Sequence, residues 1–177
     1  ELTYQLIQNV FAKFFGHKKQ MQLDAAIVKG SFKTMAVTTD SFVVNPIFFP
    51  GGDIGKLAVA GTVNDLAVSG AIPKMITASH IIEEGFPLAD LKTVVKSMAK
   101  EAANAGVQII AGDTKVVEKG SADGVFINTT GIGIIEEKNR LQPEMIQEGD
   151  AVIISGTIGD HGIAIVSARG ELGLMTD

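Results

Sequence analysis

The sequence predicts an α/β domain built on a mixed sheet, followed by the beginning of a second α/β unit. Short runs rich in β-branched residues alternate with helical patterns along most of the chain. A glycine turn, Pro50-Gly51-Gly52, feeds a helix of small residues that carries Asn64 and Asp65 in its interior. After Glu136 a polar stretch containing Pro143 breaks the alternation, and Asp150 to Ser155 (DAVIIS) then opens with a fresh buried-strand pattern. These features place residues 1–148 in one domain and residues 149–177 at the start of another, too short a piece to hold a core of its own.

Taken in order, Leu6, Ile7, Val10, Phe11 and Phe14 recur at helical spacing, which predicts a helix over residues 3 to 15 with one face on a core. Gly16 and the following lysines suit its C-terminus, and His17 is expected at the surface. Asp24 stands at the mouth of a short strand ending near Val28. Thr34 to Thr39 (TMAVTT) is β-branched and apolar, and as a strand it delivers Asp40 at its end. Asp53 takes the N-cap position of a helix over Ile54 to Ser69, where its carboxylate accepts from the free amides of the first turn. Ala58, Ala60, Gly61, Ala67 and Gly70 keep that helix thin, so another backbone or a ligand can come close. Asn64-Asp65 is unfavourable inside a helix because both side chains compete for backbone hydrogen bonds. The pair therefore points to a functional use, with a solvated face as the alternative.

Ala71-Ile72-Pro73 is expected to close this helix. A buried strand is expected over Lys74 to Ile82, with His80 near its end as a packed or hydrogen-bonded histidine. Pro87 and Leu88 open a helix whose Leu91, Val94, Val95 and Met98 form an apolar face running to Gly106. Val107 to Ala111 is expected as a strand that ends in Gly112-Asp113-Thr114-Lys115. If the strand continues, Asp113 and Lys115 share a side, and a turn with a surface salt bridge is the alternative. Gly124 to Ile135 (GVFINTTGIGII) is a β run with Thr and Gly at mid-span, a surface that something meets closely. Gly156 to Gly162 leads into a short helix, Ile163 to Arg169.

Composition narrows the function. Hydrophobic residues make up 46% of the 177, yet no apolar run reaches the roughly 18 residues of a membrane span, and the N-terminal stretch lacks a signal-peptide layout. A cytoplasmic protein away from membranes is the expectation. With no cysteine, disulfides, thiolate zinc sites and cysteine nucleophiles are excluded for these residues, and three scattered histidines argue against a His-rich metal site. The net charge of −5 and the absence of a basic stripe argue against nucleic acid as a partner.

Asp24, Asp40, Asp65 and Asp113 fall at expected strand ends or on the small-residue helix. Carboxylates brought together repel unless a cation joins them. An oxygen-only set favours Mg²⁺ bridging a few carboxylates to substrate phosphates, hence a metal–nucleotide site. Neither GxxxxGK[ST] nor GxGxxG occurs, so P-loop and Rossmann sites are unsupported. Calcium without a nucleotide would use similar ligands, although no EF-hand spacing is present. The residues alone lead as far as an acidic metal site.

DAAIV, TTDSFVV, FFPGGDIGKLAV, GTVNDLAVSGA, IIEEG, AGDTKVV, INTTGIG and SGTIGDHG, in that order, resemble the HypE family of hydrogenase maturation factors. That family lies within the superfamily of aminoimidazole ribonucleotide synthetase, selenophosphate synthetase and thiamine-phosphate kinase. The resemblance covers nearly the whole chain. It implies the N-terminal ATP- and metal-binding domain of the aminoimidazole ribonucleotide synthetase type, with sheets pairing across a homodimer. It also implies an ATP-dependent carbamoyl dehydratase, which converts a carboxamide on the sulfur of a C-terminal cysteine to a thiocyanate for the cyanide ligands of [NiFe]-hydrogenase. ATP and Mg²⁺ are then the implied cofactors, with the carbamoyltransferase HypF and the HypC–HypD scaffold as implied partners. Asp24, Asp40, Asp65 and Asp113 match the acids that hold Mg²⁺ and the ATP phosphates. Asn64, Gly112, Thr114 and Lys115 would line the phosphates, and Lys115 and Asp113 would serve catalysis. Asp160 and His161 match a motif at the opening of the second domain, to which no catalytic role is given. The family's N-terminal glycine-rich segment and terminal cysteine are not among these residues, so the 177 residues alone are expected to bind nucleotide weakly and not to complete the dehydration. A small-molecule phosphoryl-transfer enzyme of the same superfamily and a non-catalytic dimerisation module are the alternatives.

Overall fold

The computed structural model describes residues 26–29, 34–136 and 141–168. The helix expected over residues 3 to 15, His17 and Asp24 lie outside the described residues. In chain order the elements are β1 (Ala26–Lys29), β2 (Thr34–Phe42), the short β3 (Phe48–Phe49) and β4 (Gly52–Asp53), then α1 (Ile54–Val68), β5 (Ala71–Glu83) and α2 (Leu88–Asn104). There follow β6 (Gln108–Val117), β7 (Val125–Ile135), a 3₁₀ turn at Pro143–Met145 and α3 (Asp160–Ala168).

The principal sheet has the order β1-β2-β7-β5-β6. Every neighbouring pair is antiparallel except β5 and β6, which run parallel because α2 carries the chain back between them. The sheet is therefore mixed, as the sequence predicts. Its last strand in sequence, β7, sits in the middle.

The two long helices cover one face of this sheet. α1 lies against β2, β5 and β7, and α2 packs on α1 and reaches β6. The core between them joins Ile54, Ala58 and Val59 of α1, Val94 and Met98 of α2, and Ile76, Val125 and Ile127 of the sheet. Each large side chain buried this way stabilises the fold by about 1.5–3 kcal/mol relative to exposure. A smaller cluster of Ala36, Leu66, Ala71 and Ile135 closes the other end of α1. The pattern along β7 alternates strictly between buried and half-buried residues. Among the described residues no helix packs on the opposite face, called the open face below.

The start of α1 agrees with the sequence. Asp53 is extended at φ −147 and its Oδ1 accepts from Gly55 N–H at 2.7 Å and Lys56 N–H at 3.0 Å, satisfying two otherwise orphaned donors. The end of α1 does not. Gly70, at φ 76, terminates the helix, and Ala71-Ile72-Pro73 already belong to β5 rather than closing α1. Pro73 is tolerated there because the β5–β7 register shifts between Pro73 and Met75, so its missing N–H interrupts no regular ladder.

Two other expectations change, and the close approach expected along residues 124–135 is met. β6 continues through Gly112-Asp113-Thr114-Lys115 to Val117 because the long β5 offers it a partner at every step, so Asp113 stands in mid-strand and not at a strand end. The close approach along β7 is made by α1: a Cβ on Gly131 would collide with Thr62 Cγ2 and press on Leu66 Cδ1. DAVIIS forms no strand, and Val152 is 95% exposed. β-propensity fixes a strand only where a partner completes its hydrogen bonds, and no described strand pairs with this segment. No helix among the described residues is long and apolar enough to cross a membrane.

Candidate functional site

The expected site residues divide between the two faces of the sheet. In β2, alternation sends Ala36, Thr38, Asp40 and Phe42 towards the helices. Asp40 is half-buried, and its Oδ2 lies 3.4 Å from where a Cβ on Gly61 would stand. The tighter limit at Gly61 is the Phe42 ring, 3.0 Å from that Cβ position, so Gly61 makes room chiefly for Phe42. The Asp40 Oδ1 accepts from Ser41 N–H at 2.9 Å, and Asn128 Nδ2 donates to the Asp40 carbonyl at 2.9 Å and to Ser41 Oγ at 3.0 Å. The end of β2 is tied to β7 by side chains as well as by the ladder.

One helical turn beyond Gly61, Asp65 occupies the equivalent position over Thr38, whose hydroxyl donates to Asp65 Oδ2 at 2.9 Å. The pair Asp40 and Asp65 therefore lies along a single seam between β2 and α1, both half-buried. Asn64, one residue earlier, is exposed. Beneath α1 the buried Thr129 hydroxyl donates to the Ala58 carbonyl at 3.3 Å and pairs with the buried Thr62 hydroxyl. These buried hydroxyls were not singled out among the site residues. The visible signal was the TTD sequence itself, in which alternate residues of one strand must share a face.

Asp113 and Lys115 are elsewhere. Across the sheet one row runs Ser41, Asn128, Ser79, Asp113, and the adjacent row runs Asp40, Thr129, Ala78, Gly112. Residues in a row share a face, so Asp113 and Lys115 do share a side, as predicted, but it is the open face. Gly112 and Thr114 take the helix face of β6. Three strand spacings separate β6 from β2, about 14 Å. Within one chain the acids thus do not converge as a single set of four. Asp40 and Asp65 come together, Asp113 does not join them, and Asp24 is outside the described residues. Among the described residues no group of three or more His, Asp or Glu side chains is placed to hold a metal ion.

Two titratable groups flank β5. Burial lowers the His80 imidazole below its ordinary 6.5, against the opposing effect of a hydrogen bond to the Asp113 backbone, and His80 Nε2 lies 3.5 Å from Met98 Sδ. His80 is a packed histidine, as expected. Glu83 is lowered chiefly by the Gly120 N–H, then by the Gly124 N–H that its other oxygen accepts at 3.2 Å, and by the nearby Lys119 charge. Its carboxylate clasps the loop between β6 and β7. Asp160, whose carboxylate accepts from the Thr157 hydroxyl, stands in the first turn of α3, where a negative charge suits the helix dipole.

A pair of half-buried carboxylates on facing elements suits Mg²⁺, which is commonly held by one or two carboxylates together with substrate phosphates. Residues 22–135 match the family model described as AIR synthase related protein, N-terminal domain. The chain is 51% identical over 177 residues to the carbamoyl dehydratase HypE of Rhizobium leguminosarum bv. viciae, an alignment that covers 98% of this chain and 50% of that protein. A chain in a crystal structure of a HypE–HypF complex is 57% identical with a TM-score of 0.86, covering 97% of this chain and 55% of that one. A crystal structure of HypE in complex with ATP is 46% identical with a TM-score of 0.76, covering 100% of this chain and 52% of that one. The chain spans about half the length of the relatives it matches. It belongs to the family of AIR synthase related proteins, whose N-terminal domain its residues 22–135 form.

Proposed function

We propose that this chain is the nucleotide-binding part of a HypE-type carbamoyl dehydratase, a cytoplasmic enzyme of hydrogenase maturation that uses ATP and Mg²⁺. The observation that carries this reading is the near 50% identity to a carbamoyl dehydratase across essentially the whole chain, supported by the ATP-bound relative. In the reaction the oxygen of an S-bound carboxamide takes the γ-phosphoryl group of ATP. ADP leaves in that transfer as the nitrogen gives up one proton, and loss of phosphate with the second N–H proton then leaves S–C≡N.

Asp40 and Asp65 would hold the Mg²⁺, with Asp24 and Asp113 in the wider set of acids. Bound there, the cation supplies charge neutralisation at the phosphates. Asn64, exposed beside Asp65, and Gly112 and Thr114 on β6 would line the nucleotide. Lys115 is assigned to the charge that develops on phosphoryl transfer. Asp113 and Lys115 stand on the open face, which we assign to a second copy of the chain, so their part in the site depends on that assembly. β7 runs through the middle of this face, whose Met35, Val37, Ile132 and Ile134 leave apolar surface that a homodimer would cover. HypF and the HypC–HypD scaffold are the proposed partners.

The test is mass spectrometry of the protein at its natural length, incubated with a carbamoyl donor, HypF and MgATP. A carbamoyl adduct followed by loss of water is expected. Lys115→Ala should keep the adduct and slow the loss of water by about 10²–10³-fold, the range for removing one preorganised charge-stabilising group. ATP turnover with no adduct would refute the reading. Sedimentation as a monomer at micromolar concentration would refute the dimer.

A further inference from the structure

We infer that Thr38 is a positioning residue for Asp65, holding its carboxylate in one orientation towards the ligand; this rests on the proposed binding role of Asp65. Thr38 is 5% exposed, directly opposite Gly131 in the β2–β7 register. Its methyl group Cγ2 lies 3.4 Å from where a Cβ on Gly131 would stand. The methyl therefore sits over the glycine. A β-branched residue in a strand has little freedom about χ1, so seating the methyl there directs the hydroxyl to α1, where it donates to Asp65 Oδ2 at 2.9 Å.

The other buried hydroxyls under α1 serve a different end. Thr62 and Thr129 close on each other and on the Ala58 carbonyl, all neutral groups of the helix–sheet contact. Thr38 alone of these three donates to a carboxylate among the bonds described here. Such charge-assisted bonds are shorter and stronger than neutral ones. A donor behind a ligating carboxylate fixes its direction, and losing such a partner typically weakens metal binding 10–100-fold.

The experiment measures MgATP affinity by calorimetry and stability by urea unfolding on the protein at its natural length. Thr38→Val keeps the shape and removes the donor, and it should bind roughly ten-fold more weakly. Thr38→Ser keeps the donor but loses the methyl that directs it, and should bind between the native protein and Thr38→Val. Thr129→Val should lose stability and keep affinity, which separates a site effect from a packing effect. The double variant Thr38→Val with Asp65→Asn should bind no more weakly than Asp65→Asn alone, because Thr38 acts through that carboxylate. Native affinity in Thr38→Val alongside a weakened Asp65→Asn would overturn the inference while leaving the Asp65 assignment standing. Additive losses in the double variant would overturn it too. Should Thr38→Val not fold, native affinity in a folded Thr38→Ala, which has no donor, decides against it. Native affinity in Asp65→Asn would instead refute the underlying reading.

Discussion

The two faces of the central sheet are written in alternate residues of the same strands, yet they obey different constraints. On the helix face volume decides. Gly61 makes room for the Phe42 ring, and Gly131 receives the methyl of Thr62, with which a single added carbon would collide, beside that of Thr38. The buried hydroxyls of Thr38, Thr62 and Thr129 there are all matched, because an unmatched buried donor costs about 1–3 kcal/mol. On the open face the polar groups satisfy one another along the strands. Thr39 Oγ1 donates to the Thr129 carbonyl at 3.0 Å and accepts from Thr130 Oγ1 at 3.1 Å. The apolar groups between them are only half-covered. One face is finished by its own chain, whereas the other has surface to give to a partner.

The sharpest way to break this contrast is to truncate neighbours in β7. Ile127→Ala, on the helix face and 1% exposed, should destabilise the protein by about 2–5 kcal/mol in urea unfolding at any protein concentration. Phe126→Ala, on the open face, should cost less at low concentration and more at high concentration, where the proposed second copy would cover it. Equal, concentration-independent losses would erase the difference between the faces.

Next in size is the cap. Asp53→Ala should lose about 1 kcal/mol of stability and leave MgATP affinity intact, since Asp53 spends its oxygen on Gly55 and Lys56. Asp65→Asn should do the reverse. A cap variant that lost affinity as much as Asp65→Asn would place the nucleotide at the start of α1 instead of along the β2 seam.

The smallest effect is a pH dependence on the helix face. His80 is lowered below 6.5, so as pH falls through 6.5 the unfolded chain takes up the proton before the folded one does. Stability should therefore be complete above that value and decline below it, and His80→Gln should flatten the decline in thermal unfolding. A native protein more stable in mild acid than at neutrality would contradict the burial of this ring.

Much of this was legible in the chain. Asp53 announced its cap because Asp followed by a run of small helix formers has few other readings, and the buried β runs were found where residues are consecutive and apolar. The alternation of Asp113 and Lys115 was legible too, but not which face they took. That depends on the parallel register of β6 on β5, set by a crossover through α2, and no local pattern encodes it. For the same reason the three described acids, Asp40, Asp65 and Asp113, which look equivalent along the chain, separate into a pair on the seam and one across the sheet. DAVIIS misled because its composition is that of a strand, and a strand is a property of two segments.

The central place of β7 has a consequence for how the molecule is made. β2 ends at Phe42 and pairs with residues of β7 that lie some ninety positions later, such as Asn128 and Thr129. On the ribosome β5, α2 and β6 can assemble as they emerge, since their contacts are local, while β2 waits with one edge unsatisfied until the last strand inserts between it and β5. The seat for the Thr38 methyl arrives only with Gly131. The seam that orients Asp65 is thus among the last parts of this domain to form, and a nascent chain released before Ile135 would carry the acids without the groove that aims them.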